Sequence, residues 1–118
     1  MANPNIVNVA TINGKTDLFA LTTTETNLVT ATANTVFKIN SILVSNIDGT
    51  NAADVTIKYN DGSNSRAIAS TISVPADATL AVVDKNSSFY LDETEIIKGT
   101  ASANSDLECL ISYEIISD

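Results

Sequence analysis

Aspartate and asparagine residues cluster in residues 45–64, which read SNIDGTNAADVTIKYNDGSN. Their side-chain oxygens are the kind of ligand that Ca²⁺ prefers, and calcium loops space them as in D-x-[DN]-x-[DN]-G. Here Asp48, Asn51 and Asp54 are three positions apart, and Gly49 follows the first of them instead of the third. Each Asp-Gly pair fits a tight turn better, because such turns need a positive φ angle. We therefore predict no metal site in this stretch.

Acidic side chains also lie close together at Asp92, Glu93 and Glu95, in the segment LDETEII. A glycosidase needs two carboxyl groups, one of which burial keeps protonated. Turn residues flank these three acids, so a solvated turn is the interpretation that we favour. The chain has no histidine, which removes the Ser-His-Asp and Cys-His arrangements and most zinc sites. Motifs for phosphate cradles are absent too. We predict a protein that is not an enzyme and has no catalytic, cofactor-binding or metal-binding residues.

The candidate contact residues lie in the turns. If the turns act beyond the fold, we expect the loops at Asp48, Asn51 and Asn64 to contact a partner protein. Arg66, the single arginine, joins them because arginine is enriched in interface cores, although a solubilising charge on an edge strand is an alternative. The single cysteine, Cys109, lies in the apolar run LECLISYEII, which predicts a buried and inert thiol.

Two-residue alternation of apolar and polar side chains indicates the elements that position these turns. In TVFKINSILVSNI, strict alternation places Phe37, Ile39 and Leu43 on one face of a strand and Ile42 and Val44 on the other. The runs ADVTIKYN and LECLISYEII alternate in the same way, and TLAVVD and SFYLD are shorter strand signals. The pattern predicts several β-strands and no helix.

Turn signals such as DGTNAAD, NDGSN, PADA and SANSD separate these runs at short intervals. This spacing predicts an all-β fold, an antiparallel β-sandwich of jelly-roll or immunoglobulin-like topology, as a single domain over residues 1–118. Residues 1–33 are expected to form extra strands of that sandwich or an arm that contacts neighbouring subunits. Gly99, in EIIKGTAS, is expected to mark a bulge or bend.

Composition agrees with this class and limits the partners. Thr, Ser and Asn make up about a third of the 118 residues, while aromatic residues make up 5%. The net charge of −8 repels phosphate backbones and anionic lipids, so we expect neither nucleic acid nor membrane as a partner. The sequence contains no apolar run long enough to span a bilayer, and its first residues lack the features of a signal peptide.

Four segments in order carry a family resemblance: Lys38–Thr56, with its strand, DGT turn and AADVT strand; Ile72–Leu80, ISVPADATL; Tyr90–Ile97, YLDETEII; and the closing strand Asp106–Ser117. Together they resemble small virion structural proteins of tailed bacteriophages, most similar to those of T4-like phages of marine cyanobacteria and related bacteria. The resemblance extends from about residue 34 to residue 118.

The resemblance implies a non-enzymatic virion protein without a cofactor. Its expected form is a capsid decoration or cement protein that stabilises the particle by binding the major capsid protein. The alternatives are a neck or tail component and a receptor- or carbohydrate-binding fibre domain. The expected partners are other virion proteins and further copies of the chain itself. The expected location is the virion, assembled in the cytoplasm of the bacterial host.

Overall fold

A computed structural model describes residues 4–117, which form nine β-strands and no helix. The strands are β1 (Thr11–Ala20), β2 (Thr26–Thr30), β3 (Thr35–Asn46), β4 (Ala53–Asn60), β5 (Ser65–Val74), β6 (Thr79–Val83), β7 (Phe89–Leu91), β8 (Ile96–Ala101) and β9 (Leu107–Ser117). Thr, Val and Ile dominate them because branched side chains suit the pleated backbone. No helix in this part of the chain is long and apolar enough to cross a membrane.

The strands form two antiparallel sheets. Sheet A has the order β1-β9-β3-β6, with β7 also pairing with β3, and sheet B has the order β2-β8-β4-β5. The pairs are nested along the chain: β4 with β5, β3 with β6, β2 with β8, and β1 with β9. A long antiparallel ribbon wrapped around itself in this way is a jelly-roll. The predicted antiparallel β-sandwich is confirmed, and of the two topologies the chain adopts the jelly-roll.

The core lies between the two sheets and consists mainly of aliphatic side chains. Ile39, Ile42, Ile57 and Ile111 are all fully buried there. The chain is poor in aromatic residues, so branched aliphatic groups must fill the space. The predicted burial of Cys109 is confirmed, and Leu107, Ile111 and Tyr113 are buried on the same face of β9.

The strict alternation predicted for β3 is wrong in its middle. The register with β9 shifts between Ile39 and Ser41, so Asn40 is an extra residue in β3. A bulge of this kind moves the following side chains to the opposite face. Ile42 is therefore buried in the same core as Ile39, while Leu43 is only half-buried.

The prediction of a bulge or bend at Gly99 is also wrong. Gly99 pairs regularly with Thr26 and Ile57, and the irregularity between β2 and β8 falls at Leu28 on the other strand. A Cβ atom at Gly99 would lie 2.7 Å from Cδ1 of Leu28. The glycine therefore makes room for the Leu28 side chain, which is a requirement of packing between strands.

Candidate assembly surface

The first two candidate contact residues lie in the loop between β3 and β4. Oδ1 of Asp48 accepts hydrogen bonds from the backbone N–H groups of Thr50, at 2.7 Å, and of Asn51, at 3.2 Å. These bonds hold the pKa of Asp48 below its ordinary value because they favour the charged form. The Asn51 amide also donates to Oδ2 of Asp48 at 3.4 Å. Both side chains shape the loop.

The other two candidates are Asn64, the last residue of the turn between β4 and β5, and Arg66, the second residue of β5. Oδ1 of Asp61 accepts hydrogen bonds from the N–H groups of Ser63, at 2.9 Å, and of Asn64, at 2.7 Å. These bonds lower the pKa of Asp61. The exposed Arg66 side chain donates to the backbone oxygen of Ser65 at 3.0 Å.

The structure does not bring the four candidates together. Asp48 and Asn51 precede β4, whereas Asn64 and Arg66 follow it, so the length of the strand separates the two pairs. Eight residues of strand span about 27 Å at ~3.4 Å per residue. Within residues 4–117, no group of three or more acidic, cysteine or histidine side chains is placed to hold a metal ion. Contact of these loops with a partner stays a prediction.

Asn46 fixes the β3–β4 loop, and sequence reasoning missed it. The side chain is buried. Its Nδ2 donates to the backbone oxygens of Asn51 and Val74, both at 2.9 Å, and its Oδ1 accepts from the N–H of Asp48 at 2.9 Å. It therefore ties the loop to the end of β5. Among thirteen asparagines, nothing in the spacing singles out this one.

The acidic residues of the LDETEII segment are bound into turns. Oε1 of Glu95 accepts hydrogen bonds from the hydroxyl of Tyr59 and from the N–H of Asp92. Oε2 of Glu93 accepts from the N–H of Asn34 at 2.7 Å. Burial and the bond to Glu95 raise the pKa of the Tyr59 hydroxyl. The Glu93 and Glu95 carboxylates thus accept hydrogen bonds from neighbouring groups of the protein.

An apolar cleft of about 480 Å³ lies between the two sheets on the side where β5 faces β6 and β7. Its lining includes Tyr59, Ile68, Val82, Phe89 and Tyr90. The rings of Tyr59 and Phe89 are 5.8 Å apart and tilted, whereas Tyr90 pairs with Lys38 on the outer face of sheet A. Such a cleft offers stacking faces to a small ring-shaped ligand.

More than half of the exposed large apolar side chains in the described part of the chain lie near its N-terminus. Seven large apolar side chains are exposed in residues 4–117. They are Ile6, Val7, Ile12, Leu18, Ile47, Ile72 and Tyr90. Four of the seven lie between residues 6 and 18, and Val7 and Leu18 are 91% and 73% exposed. Exposed apolar side chains that are concentrated in one segment make that segment a candidate interaction site.

Strand β1 lies at the edge of sheet A and forms a regular ladder with β9 over ten residues. Its opposite edge has no paired strand within residues 4–117. From Thr11 to Thr16 both of its faces are exposed. The other edges are interrupted: β5 has two register shifts, β2 is short and bulged, and β6 and β7 are short. A long, regular edge strand is a template for pairing with another chain.

We call the free edge of β1, together with Ile6, Val7, Ile12 and Leu18, the N-terminal surface. It gains area from the segment before β1, where Pro4 and Ile6 line a small cavity with Val36 on sheet A.

Two charged residues of β1 lie on the same face of the strand. The hydroxyl of Tyr113 donates a hydrogen bond to Oδ2 of Asp17 at 2.6 Å. Nζ of Lys15 lies 3.7 Å from Oδ1 of Asp17, and the Lys15 side chain is 54% exposed. Burial and the contact with Asp17 raise the pKa of Tyr113. Asp17 is therefore held in place, whereas Lys15 is held only loosely.

The single cysteine is not part of any exposed surface. Cys109 is buried in the core, and this burial raises the pKa of its thiol to about 12. A thiol with so high a pKa is almost wholly protonated at neutral pH, and the thiolate is the reactive form.

Comparison with known proteins adds a fold relationship. No protein-family model and no curated protein matches the sequence. Among solved structures, the chain is similar to a protein of Bacillus endospore appendages, which are described as a novel family of disulfide-linked pili. The TM-score is 0.54 at 13% identity, over 92% of this chain and 88% of that one. At this identity the likeness concerns the fold, and it supports the assignment of a β-sandwich.

Proposed function

We propose that this protein is a non-enzymatic structural subunit of a large ordered particle, and that it attaches through its N-terminal surface. The observation that carries the proposal is the combination of an open ten-residue edge strand with four exposed apolar side chains in residues 6–18. An exposed ladder edge gives affinity through backbone hydrogen bonds, and the apolar side chains add buried area on contact.

The particle that we propose is the virion of a tailed bacteriophage, with the protein decorating the capsid by binding the major capsid protein or serving in the neck or tail. The motif resemblance from residue 34 onward supports this choice. Jelly-rolls occur in viral capsid proteins and also in lectins, so the fold agrees with the proposal without selecting it. The net charge of −8 favours solubility at the high local concentration that many copies in a particle require.

The similar appendage protein belongs to pili described as disulfide-linked. This chain has a single cysteine, and Cys109 is buried. The attachment that we propose is therefore non-covalent, through strand pairing and apolar contact.

The test compares two double variants of the protein in particle assembly. Ile12→Lys with Leu18→Lys places two charges on the N-terminal surface, and the control, Ile47→Lys with Ile72→Lys, places them on exposed apolar residues elsewhere. In a phage that encodes the protein, we expect the first variant to fold but to be lost from purified virions, and the control to be retained. Retention of both variants would overturn attachment through this surface.

The same phage with the gene deleted tests the particle itself. We expect cryo-electron microscopy to show missing density on the capsid shell, neck or tail, with lower capsid stability to heat if the density lies on the shell. Virions with unchanged shell, neck and tail density would overturn the proposed virion role.

A second candidate function is carbohydrate binding by a fibre domain, and the cleft beside Tyr59, Phe89 and Tyr90 favours it. Sugar rings commonly stack on aromatic faces, and the half-buried Phe89 ring lines the cleft. A glycan array with wild-type protein and with Phe89→Ala tests the idea. Binding that the substitution removes would support a sugar site in the cleft, whereas an array without binding would remove this candidate.

A further inference from the structure

The exposed residues of β1 are complementary to a second copy of β1. In sheet A, even-numbered residues of β1 lie on the outer face and odd-numbered residues on the face toward sheet B, as their pairing with β9 requires. Two copies of β1 that are related by a two-fold axis pair antiparallel only if the axis is perpendicular to the sheet. The outer face of one copy then lies beside the outer face of the other. The axis runs midway between the two strands, at the position where one residue lies opposite its own copy.

The charges of Lys15 and Asp17 determine which residue of β1 lies opposite its own copy at the axis. With Thr16 opposite Thr16 of the second copy, Lys15 faces Asp17 of the other copy twice, once on each side of the axis. Moving the axis to Lys15 or to Asp17 would place like charges opposite each other, which is unfavourable in an antiparallel pair. In registers centred on Gly14 or Leu18, neither Lys15 nor Asp17 lies opposite a residue of the other charge. The Thr16 register alone pairs the two charges of β1.

Side-chain size agrees with the same register. On the outer face, Leu18 would lie opposite Gly14 of the second copy, and Ile12 opposite Ala20, so that each large apolar side chain meets a small residue. Gly14 has no explanation within one copy, because a Cβ atom there would meet nothing within 4 Å. Glycine weakens a strand interior and often marks the close approach of another chain.

The contacts that Lys15 and Asp17 make within one copy leave them able to pair with the second copy. The Tyr113 hydroxyl already fixes Asp17 at 2.6 Å, which leaves its Oδ1 available. Lys15 lies at 3.7 Å from that oxygen within the same strand, a distance that a direct cross-strand partner can shorten. Both side chains are partly exposed, so pairing needs no rearrangement of the core.

We propose that the protein forms a symmetric dimer by antiparallel pairing of β1 with β1 of a second copy, centred on Thr16, with reciprocal Lys15–Asp17 pairs. The two copies of sheet A then form one continuous sheet, and the interface is isologous. The dimer rests on the proposed function in one respect: it names a second copy as the partner of the β1 edge. Contact with other proteins of the particle then falls to the apolar side chains of the N-terminal surface.

The first experiment measures self-association of the whole chain by sedimentation equilibrium. We expect a dimer for the wild type. Lys15→Glu should weaken it on the order of 10- to 100-fold, because two attractive pairs become repulsive. The control Lys85→Glu makes the same charge change in the exposed turn after β6 and should leave the dimer unchanged. The double variant Lys15→Asp with Asp17→Lys should restore association, since it recreates both pairs with the charges exchanged.

The second experiment fixes the register with cysteine. Thr16→Cys should form a disulfide-linked dimer on mild oxidation, since a residue on the axis lies within disulfide reach of its own copy. Ile12→Cys is the control, because its two copies would be about 27 Å apart at ~3.4 Å per residue. Cys109 does not interfere, because it is buried.

A wild-type chain that stays monomeric at the highest soluble concentration overturns the dimer, and so does equal crosslinking of both cysteine variants. The proposed function fails by a different result, the retention of the Ile12→Lys, Leu18→Lys variant in particles. A monomer that still needs the N-terminal surface for incorporation would remove only the dimer.

Discussion

Strands β1 and β5 are both ten residues long, and each lies at the edge of a sheet, but the two edges are built differently. The register of β5 with β4 breaks twice, and Thr71 has a φ angle of 51°. The register of β1 with β9 is unbroken. Bulges protect an edge from pairing with other chains. The β5 edge is therefore closed to pairing with another chain, and the β1 edge is open.

The strands also differ in what holds them to the body of the protein. β5 ends at Val74, which is fully buried and whose backbone oxygen accepts a hydrogen bond from Asn46. The end of β1 is anchored by Phe19, which packs against the core, while most of the strand has exposed side chains. We therefore expect substitutions in β5 and its supports to change folding stability, and those in β1 to change association.

The largest expected effect on folding stability is at Asn46, whose side chain binds the end of β5. Asn46→Ala leaves three buried or half-buried backbone groups without their partner and should lower the free energy of unfolding by about 3 kcal/mol. The control is Asn40→Ala in the same strand, which removes one hydrogen bond to Glu114 and should cost less than about 1 kcal/mol. Urea denaturation of both variants measures the difference. Equal losses would show that Asn46 does not anchor the loop.

A direct comparison of the two edges uses Val74→Ala and Leu18→Ala. The first removes fully buried methyl groups from the end of β5 and should cost about 2 kcal/mol of stability. The second shortens a side chain that is mostly exposed and should cost less than about 0.5 kcal/mol. Thermal denaturation at low protein concentration, where dimers dissociate, measures both. A large loss for Leu18→Ala under those conditions would contradict the description of β1 as an open edge.

Glycine substitutions should change stability in opposite directions at the two edges. Thr71 has a positive φ angle that costs a branched residue about 1–2 kcal/mol, so Thr71→Gly should stabilise the protein by up to about 1 kcal/mol. Thr16 is in regular strand, where Thr16→Gly should destabilise it by about 0.5–1 kcal/mol. Chemical denaturation gives both signs. Destabilisation by Thr71→Gly would mean that the bulge is not strained.

The smallest expected effect is on how acid changes the hydrogen bonding of the turn that leads into β5. The pKa of Asp61 is lowered in the folded state by its bonds to Asn64 and Ser63, so its contribution is complete above the ordinary value of 3.8 and is lost as the pH falls through the folded-state pKa. The protection factor of the Asn64 amide, the factor by which its exchange is slower than in an unfolded chain at the same pH, should therefore fall in acid. Asp61→Asn keeps an acceptor oxygen but does not titrate, so it should reduce this fall in protection. An unchanged acid response in the variant would exclude Asp61 as its source.

Much of the fold could be predicted from the sequence, because local alternation and turn residues report directly on strands and reversals. VTIKY alternates in the structure as it does in the sequence, with Val55 and Ile57 fully buried. The turn at Gly62, where φ is 96°, is the positive-φ reversal that its Asp-Gly pair indicates. The same prediction is wrong at Gly49, which has no positive φ and lies in the loop from sheet A to sheet B. Alternation failed in β3, because a single extra residue at Asn40 moves later side chains to the other face without changing the pattern of residue types.

The candidate site was less predictable. Asp48, Asn51, Asn64 and Arg66 stood out by residue type, but each of the three polar turn residues is explained by local hydrogen bonds, and the residues before and after β4 lie far apart. The N-terminal surface gave no signal of its own, because Ile12 and Leu18 read like ordinary strand residues. Only the pairing of β1 with β9 places them on the outer face of sheet A, at its edge, where no layer covers them.

The sequence by itself determined an all-β sandwich, the positions of its turns, the burial of Cys109 and the lack of histidine-based chemistry, because these follow from composition and near-neighbour spacing. The tertiary structure alone decided the jelly-roll pairing, the bulges, the role of Asn46 and the open edge of β1. Those features depend on which distant strands become neighbours. The ladder between Thr11 and Ser117 joins residues from opposite ends of the chain, and no local pattern encodes such a pairing.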